Sequence, residues 1–437
     1  MTNLPKKLKT KTYDVTALFL LALCLRLFYC LTQFNGITGD SPDYIDIAKN
    51  LYLHNSFAFS GDNGNIILTA FRPFLYPLFV AVIDGGNQTY GHTLIVQSIL
   101  GATTVVLIYL IANENFGRFV ALISGLMLTF GPLTIYFTAE ILTETLFIFL
   151  LILGFFLWGK RRFYLCGITF GFVALTRPLI FPFFVFLFGL MLIFPLLRKE
   201  WKNYLIILAF TLIISAPWMI RNSMLLNKIT LTQSSGFGTN LLVGTIDGPL
   251  WGGDIWTLIN NDPVLQPTEG LNEAEQDRLR MKTAFNRIIE DPVRWIKIRF
   301  KYYPKLFLDS GDYLLGEYNV AVGEALKDGN FLPVVFKITF ILANLLFYSL
   351  ALIGFIFAGE KIVLLPHIFL FPIFLALLHI PMWIETRYFL PAVPLVCIIS
   401  AFGIQQILIK QNIITLKRIS LQKNMNTNLL QEMQENA

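Results

Sequence analysis

The chain has 437 residues, of which 55% are hydrophobic, 15% aromatic and only 14% charged, against about 25% charged in soluble domains. A mean hydropathy of +0.63 and 41 phenylalanines exclude an ordinary soluble enzyme, a disordered chain and a collagen-like repeat. They point to many membrane-spanning helices, each needing about 20 mostly apolar residues. The four cysteines fall in apolar runs without a CxxC pair, and the four histidines show neither HxxxH nor HExxH spacing, so neither a disulfide framework nor a histidine-built metal centre is expected.

The first apolar run, about 14–34, follows Lys6, Lys7, Lys9 and Lys11 and has no small-residue cleavage site after it. It is expected to be an uncleaved anchor with its N-terminus inside. A loop over 35–91 follows on the outer side, and then apolar runs at about 92–112, 119–137, 143–158, 163–177, 179–197 and 203–219. Residues 220–332 form a second polar stretch, in which Asn272 to Arg287 has a helical pattern and Asp291-Pro292 starts another amphipathic run to Tyr303. Three last runs, at about 333–357, 362–383 and 388–409, precede a tail with Lys417, Arg418 and Lys423. Ten spans are thus predicted, returning both termini to the inner side. The short turns agree, since those inside carry eight Lys or Arg residues and those outside only Arg177 and Arg387. The net charge of +6 is mostly this topogenic signal and implies no nucleic-acid partner.

The fold class is therefore all-α, a polytopic membrane protein. Its expected parts are an N-terminal transmembrane module 1–219 with the external loop 35–91, an external region 220–332, C-terminal transmembrane helices 333–409 and a basic cytoplasmic tail 410–437. The Gly-rich stretches Gly236 to Asn240 and Gly244 to Gly253 lack the strand–glycine–helix order of a nucleotide loop and read as flexible loop.

Ionisable side chains at membrane depth are costly and face cavities or partners. Here nearly all sit at the outer ends of spans. Asp40 and Asp43 follow the first span, Arg72 lies in the first loop, and Glu140 and Glu144 open the fourth span; Arg177 ends the fifth, and Glu385 with Arg387 separates the last two. In Gly39-Asp40-Ser41-Pro42-Asp43-Tyr44, Ser41 as N-cap and Pro42 at the first helical position predict a surface helix with Tyr44, Ile47, Ala48 and Leu51 on one face. Asp40 then meets the positive end of the helix dipole, which favours a carboxylate able to act as a base; ordinary capping acids are the alternative. Glu140 and Glu144, four apart, are expected on one helical face, either neutralised by arginines or serving a site. Pro178 holds Arg177 out of helical geometry, and Arg72-Pro73-Phe74-Leu75-Tyr76-Pro77 fixes another arginine in an aromatic segment. Planar, permanently charged forks suit a phosphate oxyanion, with snorkelling to lipid headgroups as the alternative. Arg26, inside the first span, is expected to pair with an acid that the sequence does not identify.

External acids, interfacial arginines and the lack of a nucleotide motif suit an activated substrate that is itself lipid-borne. In order and spacing, Asp40 to Ala48, Arg72 to Pro77, Glu140 to Leu146, Leu175 to Pro178, Pro217 to Asn222 and Arg387 to Pro391 resemble motifs of the C-type membrane glycosyltransferases. The resemblance is to bacterial members of the dolichyl-phosphate-mannose protein mannosyltransferase family, glycosyltransferase family 39, including the aminoarabinose transferases. It implies the C-type fold, with about ten helices and amphipathic surface helices in the first loop, and inverting transfer of a sugar from a polyprenyl-phosphate donor to an acceptor hydroxyl of a glycan, lipid or protein. By the same resemblance Asp40 is the base, Glu144 or Glu140 the second acid, and Arg72, Arg177 and Arg387 bind the donor phosphate beside Tyr44, Tyr76 and Tyr388. Ser41 stands where many members carry a second acid, so no metal or other cofactor is expected. The expected setting is a bacterial cytoplasmic membrane, with membrane lipid as a partner and the site facing outward.

Two other classes remain open. A metal-dependent oligosaccharide transferase using pyrophosphate-linked glycans should carry a larger external domain and a metal-binding acidic set. A transporter or flippase should carry polar groups near the midplane and repeated halves, whereas Arg26 is the chief mid-span charge and no repeat is visible.

Overall fold

The computed structural model describes residues 6–33, 39–61, 64–85, 89–229, 236–248, 258–259, 261–266, 270–308, 310–315, 320 and 322–411. The side chains of Lys6 to Lys11, residues 249–253 of the glycine run 244–253 and the tail beyond 411 lie outside the described residues. The chain is an integral membrane protein. Five helices are long and apolar enough to cross a membrane: Thr12–Gln33 within α1 (Lys6–Gln33), Gly91–Phe116, Trp201–Leu225, Phe331–Ala358 and Thr386–Gln411.

The other five predicted runs also hold apolar helices, namely Arg118–Thr129, Glu144–Gly159, Phe163–Thr176, Ile180–Ile193 and Pro366–Leu378. The longest of these has 16 residues, about 24 Å of helix against a hydrocarbon layer of about 30 Å. Hydropathy reads such runs as continuous, but Gly131-Pro132, the bent segment 137–143 and Pro178 break the helices early. Ten is therefore the number of apolar runs, and five of them are shorter than a full crossing.

The first polar loop contributes α2 (Ser41–His54), a two-stranded antiparallel ribbon of β1 (Ala58–Ser60) and β2 (Ile66–Leu68), and α3 (Leu75–Asp84). Tyr44, Ile47 and Ala48 are buried on one face of α2, as the periodicity requires. The N-cap, however, is Asp40, with Ser41 as the first helical residue and Pro42 inside the first turn. Proline lacks only an N–H that the first turn leaves unpaired anyway, so the pattern tolerates a one-residue shift. Asp46 accepts from the Ser60 N–H at 2.7 Å and ties the ribbon to α2.

Behind this loop, α4 (Gly91–Phe116) lies against α1, α5 (Arg118–Thr129) and α6 (Glu144–Gly159), while α7 (Phe163–Thr176) packs on α6 and on α9 (Trp201–Leu225); α8 (Ile180–Ile193), which follows α7 in the chain, touches α7 and the C-terminal helix Pro366–Leu378. The second polar region, between α9 and the C-terminal helices, carries α10 (Glu273–Glu290) and α11 (Pro292–Tyr302). Asn272 and Glu275 form a reciprocal capping box at the start of α10, and Asp291 accepts from Arg294 N–H at that of α11. The glycines at 236–240 are not loosely held: Phe237–Val243 is helical, and a Cβ on Gly238 would stand 2.0 Å from the Asp277 carbonyl oxygen. Glycine there permits close packing on α10.

The C-terminal part consists of α12 (Phe331–Ala358), α13 (Pro366–Leu378) and α14 (Thr386–Gln411). Helices α12 and α14 approach backbone to backbone at Gly354 and Gly403, the small-residue solution to packing in lipid. The second polar region is anchored on this part, since Arg299 donates to the carbonyls of Gly244 and Met382, and Trp383 N–H donates to the Asn240 carbonyl at 2.9 Å.

Candidate active site

Four segments remote in sequence converge at one end of the helices. The residue that caps α2, Asp40, accepts from two arginines at once: Arg72 Nη2 at 2.7 Å on Oδ1 and Arg387 Nη2 at 2.9 Å on Oδ2. Arg72 also grips Asp43 through Nη2 at 2.7 Å and Nε at 3.0 Å. Arg387, at the start of α14, donates from Nε to Glu385 Oε2 at 2.6 Å. Glu385 in turn accepts from Trp383 Nε1 at 3.0 Å and from the Tyr313 hydroxyl at 3.4 Å.

The second acid completes the cluster. Glu144 begins α6 and is wholly buried; its Oε1 accepts from Arg177 Nη2 at 2.6 Å and lies 4.0 Å from Arg387 Nη1. Arg177 is extended at φ −151°, ψ 130°, the geometry that Pro178 imposes, and its Nε donates to Thr143 at 2.7 Å. Four carboxylates, Asp40, Asp43, Glu144 and Glu385, thus face three guanidiniums. Every arginine is engaged by at least one carboxylate, so an incoming anion competes with carboxylates for these forks.

The electrostatics of Asp40 follow from this clamp. Burial pushes its carboxyl upward, but the charges and hydrogen bonds of Arg72 and Arg387 outweigh burial and hold it at about 2. Arg72 is the mirror image: burial disfavours its charge, and Tyr44, Asp40 and Asp43 raise its pKa above that of an ordinary arginine.

Aromatic rings support the guanidiniums. Arg72 lies 5.0 Å from the Tyr44 ring and 4.8 Å from Phe71, Arg387 lies 5.6 Å from Tyr388, and Arg177 5.7 Å from Phe147. Tyr76 is fully buried, edge-on to Tyr44 at 5.2 Å, and its hydroxyl donates to Gln97 at 2.8 Å. Tyr388 stacks on His379 at 5.5 Å. Glu140 does not share a helical face with Glu144, because residues 137–143 are bent and α6 begins at Glu144. Its side chain is bonded by Tyr136, and its backbone carbonyl accepts from Gln97 at 2.9 Å.

The Arg72 segment is held from a second direction that the sequence does not announce. Glu273, on α10, accepts from the Thr69 hydroxyl at 2.6 Å and the Ala70 N–H at 2.9 Å. Arg221, at the end of α9, donates to the carbonyls of Thr69 and Phe57 at 2.5 and 3.2 Å and lies 4.7 Å from the Trp218 ring. Asp43 and Glu385 stand out in the sequence as interfacial acids without an assigned role, and the structure adds both to the cluster; Thr143, Glu273 and Gln97 are joined to the site by tertiary contacts alone.

Arg26 corrects another expectation. No direct ion pair with an acid is formed among the described residues; the guanidinium donates to the carbonyls of Ala22 and Leu128 at 3.2 and 3.4 Å and to Thr134 Oγ1 at 3.4 Å. Backbone carbonyls are available acceptors wherever a helix ends inside the protein, as α5 does at Thr129. Also among the described residues, no group of three or more His, Cys, Asp or Glu side chains is arranged to hold a metal ion.

Comparison with known proteins places this architecture. The chain superposes on the apo crystal structure of the Archaeoglobus fulgidus oligosaccharyltransferase with a TM-score of 0.54 at 12% identity, over 94% of this chain and 52% of that one. The fold is that of a C-type membrane glycosyltransferase. The archaeal oligosaccharyltransferase AglB of the same organism, in complex with an inhibitory peptide and a dolichol-phosphate, shares this C-type fold with a TM-score of 0.50 at 11% identity, over 94% and 52% of the two chains. ArnT from Cupriavidus metallidurans bound to undecaprenyl phosphate matches over 89% and 76% at 12% identity, with a TM-score of 0.41. The chain spans about half the length of the archaeal enzyme. Residues 71–220, about a third of the chain, match the family model for dolichyl-phosphate-mannose-protein mannosyltransferase, which is the family that the motifs resemble. No curated protein matches the sequence.

Proposed function

We propose that this C-type protein is an inverting glycosyltransferase that moves a sugar from a polyprenyl-phosphate donor to an acceptor hydroxyl on the outer side of the membrane. The observation that carries the reading is the clamp of Arg72 and Arg387 on Asp40 at 2.7 and 2.9 Å. It brings a carboxylate and two guanidinium forks to one point, from segments about 350 residues apart, which supports a base and a phosphate site there. The match of residues 71–220 to the mannosyltransferase family supports it, as does the dolichol-phosphate held by an archaeal enzyme of the same fold.

In this reading the donor phosphate draws Arg72 and Arg387 onto its oxygens, because phosphate accepts the bidentate fork as well as a carboxylate does. Asp40 is then released to accept the proton of the acceptor hydroxyl, whose oxygen attacks the anomeric carbon opposite the phosphate. One C–O bond forms as the sugar–phosphate C–O bond breaks, and polyprenyl phosphate leaves with its charge held by arginines. Glu144 keeps Arg177 beside the departing phosphate, Tyr44 and Tyr388 back Arg72 and Arg387, and Tyr76 fixes Tyr44. The acceptor belongs to a glycan, a lipid or a protein, and the setting is a bacterial cytoplasmic membrane with both termini inside.

The shared fold with an oligosaccharyltransferase favours one second reading, a metal-dependent transfer of pyrophosphate-linked glycans. A panel of labelled polyprenyl-phosphate and polyprenyl-pyrophosphate sugars in proteoliposomes separates the two. Transfer from a monophosphate donor with inverted anomeric configuration, insensitive to chelators, supports the proposal. Transfer only from pyrophosphate donors, lost on chelation and restored by manganese or magnesium, replaces it with the second reading.

A further inference from the structure

Arg26 is 1% exposed and lies in α1 seven residues before Gln33, about 10 Å along the helix from its outer end. A guanidinium at that depth is expensive unless its hydrogen-bonding groups are satisfied and its charge is answered. Three of its bonds go to neutral oxygens, and Nε has no partner. The wholly buried Glu144 has the complementary defect: Oε1 is held by Arg177, and Oε2 has no partner.

Both side chains line the same cavity of about 20 Å³, together with Gly101, Thr104, Thr134, Thr138 and others. That volume takes one water, which needs two to four polar partners to be stable in a protein interior (about 10–15 Å³ suffices for one). The partners are present. Arg26 Nε–H is a donor that a water could accept from, Glu144 Oε2 is an acceptor for one of its hydrogens, and threonine oxygens are acceptors for the other. Those hydroxyls already donate to backbone carbonyls: Thr104 to Leu100, Thr138 to Thr134 and Thr145 to Phe137. Their oxygens are left as acceptors.

Gly101 marks the same spot from α4. A Cβ there would stand 2.6 Å from Arg26 Nε and 2.9 Å from its Cδ, so a glycine is what lets the guanidinium reach the cavity wall.

We propose that Arg26 is a positioning residue for Glu144, acting through one water held in the cavity they share. The bridge answers the membrane-buried charge of Arg26 and pins Oε2, so that Oε1 stays aimed at Arg177 and Arg387. It rests on the role given to Glu144 above, but its physical content, the coupling of the two side chains, is measurable without turnover.

The test uses the full chain in nanodiscs, with Arg26→Met, Arg26→Lys, Gly101→Ala, Glu144→Gln and the Arg26→Met/Glu144→Gln double variant. The infrared carboxylate band that disappears in Glu144→Gln identifies the Glu144 signal, and it should shift in Arg26→Met and in Gly101→Ala, which keeps the charge but displaces Nε. In transfer assays Arg26→Met should lower kcat by about 2- to 30-fold, the range for coupling through such networks, with donor KM little changed and partial rescue in Arg26→Lys. The double variant should be no slower than Glu144→Gln alone. An unmoved band in both Arg26→Met and Gly101→Ala overturns the proposal, whether or not the enzyme turns over. So does an Arg26→Met loss that multiplies that of Glu144→Gln, the mark of a purely structural role. Shifted bands in a protein that transfers no sugar leave the coupling standing and refute the proposed function instead.

Discussion

Replacing Asp40 with asparagine should tighten binding of polyprenyl phosphate. The carboxylate occupies Arg72 Nη2 and Arg387 Nη2 at 2.7 and 2.9 Å, the groups assigned above to the donor phosphate. Its pKa is held at about 2, against about 3.9 for a free aspartate, a difference worth about 2.6 kcal/mol before screening. The Asp40 side chain is 33% exposed, so solvent screening reduces this to about 1–1.5 kcal/mol. Removing the competitor should therefore strengthen binding by about five- to tenfold. Asp43→Asn is the control, since Asp43 is somewhat more exposed and engages Arg72 alone among the two clamping arginines, and its effect should be smaller. Calorimetric titration of a short-chain polyprenyl phosphate into protein in nanodiscs measures both. Unchanged or weaker binding to Asp40→Asn would refute the exchange of arginines between carboxylate and phosphate.

Three further outcomes are expected. Asp40 has a folded-state pKa of about 2, below its unfolded value of about 3.9, so its ion pairs stabilise the fold fully above about pH 4 and cease to do so as pH falls through 2. The difference in melting temperature between wild type and Asp40→Asn should be flat from about pH 5 to pH 8 and shrink toward pH 3; a difference that widens on acidification would contradict the sign. Glu273→Gln weakens the hold on Thr69 and Ala70 by about 1–2 kcal/mol and should raise donor KM through Arg72, whereas an unaltered KM would mean that the first loop positions this arginine unaided. Gly403→Leu places a side chain where a Cβ already stands 2.2 Å from the Leu350 carbonyl oxygen, and overpacking of about 1–3 kcal/mol should lower the melting temperature in detergent; an unshifted melt would mean that α12 and α14 are farther apart.

What the sequence makes legible is what depends on local chemistry. Apolar runs locate all five helices long enough to cross a membrane among the described residues, because lipid exposure needs continuous hydrophobicity. The Asn272–Glu275 box and Asp291-Pro292 mark the starts of α10 and α11, and Pro178 dictates the extended Arg177. Asp40, Arg72, Arg177, Glu144 and Arg387 are also legible as costly charges at one interface, and the structure brings them together. What is not legible depends on tertiary neighbours. Nothing local indicates that Arg26 is met by the carbonyls of Ala22 and Leu128 instead of a direct ion pair. Nor does four-residue spacing reveal that Glu140 lies in a bend outside α6. Glu273 reaches Thr69 across 204 positions, and no pattern within either segment encodes that contact.

The central claim, that Asp40 is the base of a sugar transfer, is tested most directly by single-turnover kinetics of wild type and Asp40→Asn loaded with the same labelled polyprenyl-phosphate sugar in proteoliposomes. The account expects both forms to hold the donor while transfer in Asp40→Asn falls by about 10²- to 10⁴-fold, the usual contribution of a general base. Transfer at the wild-type rate in Asp40→Asn would contradict it.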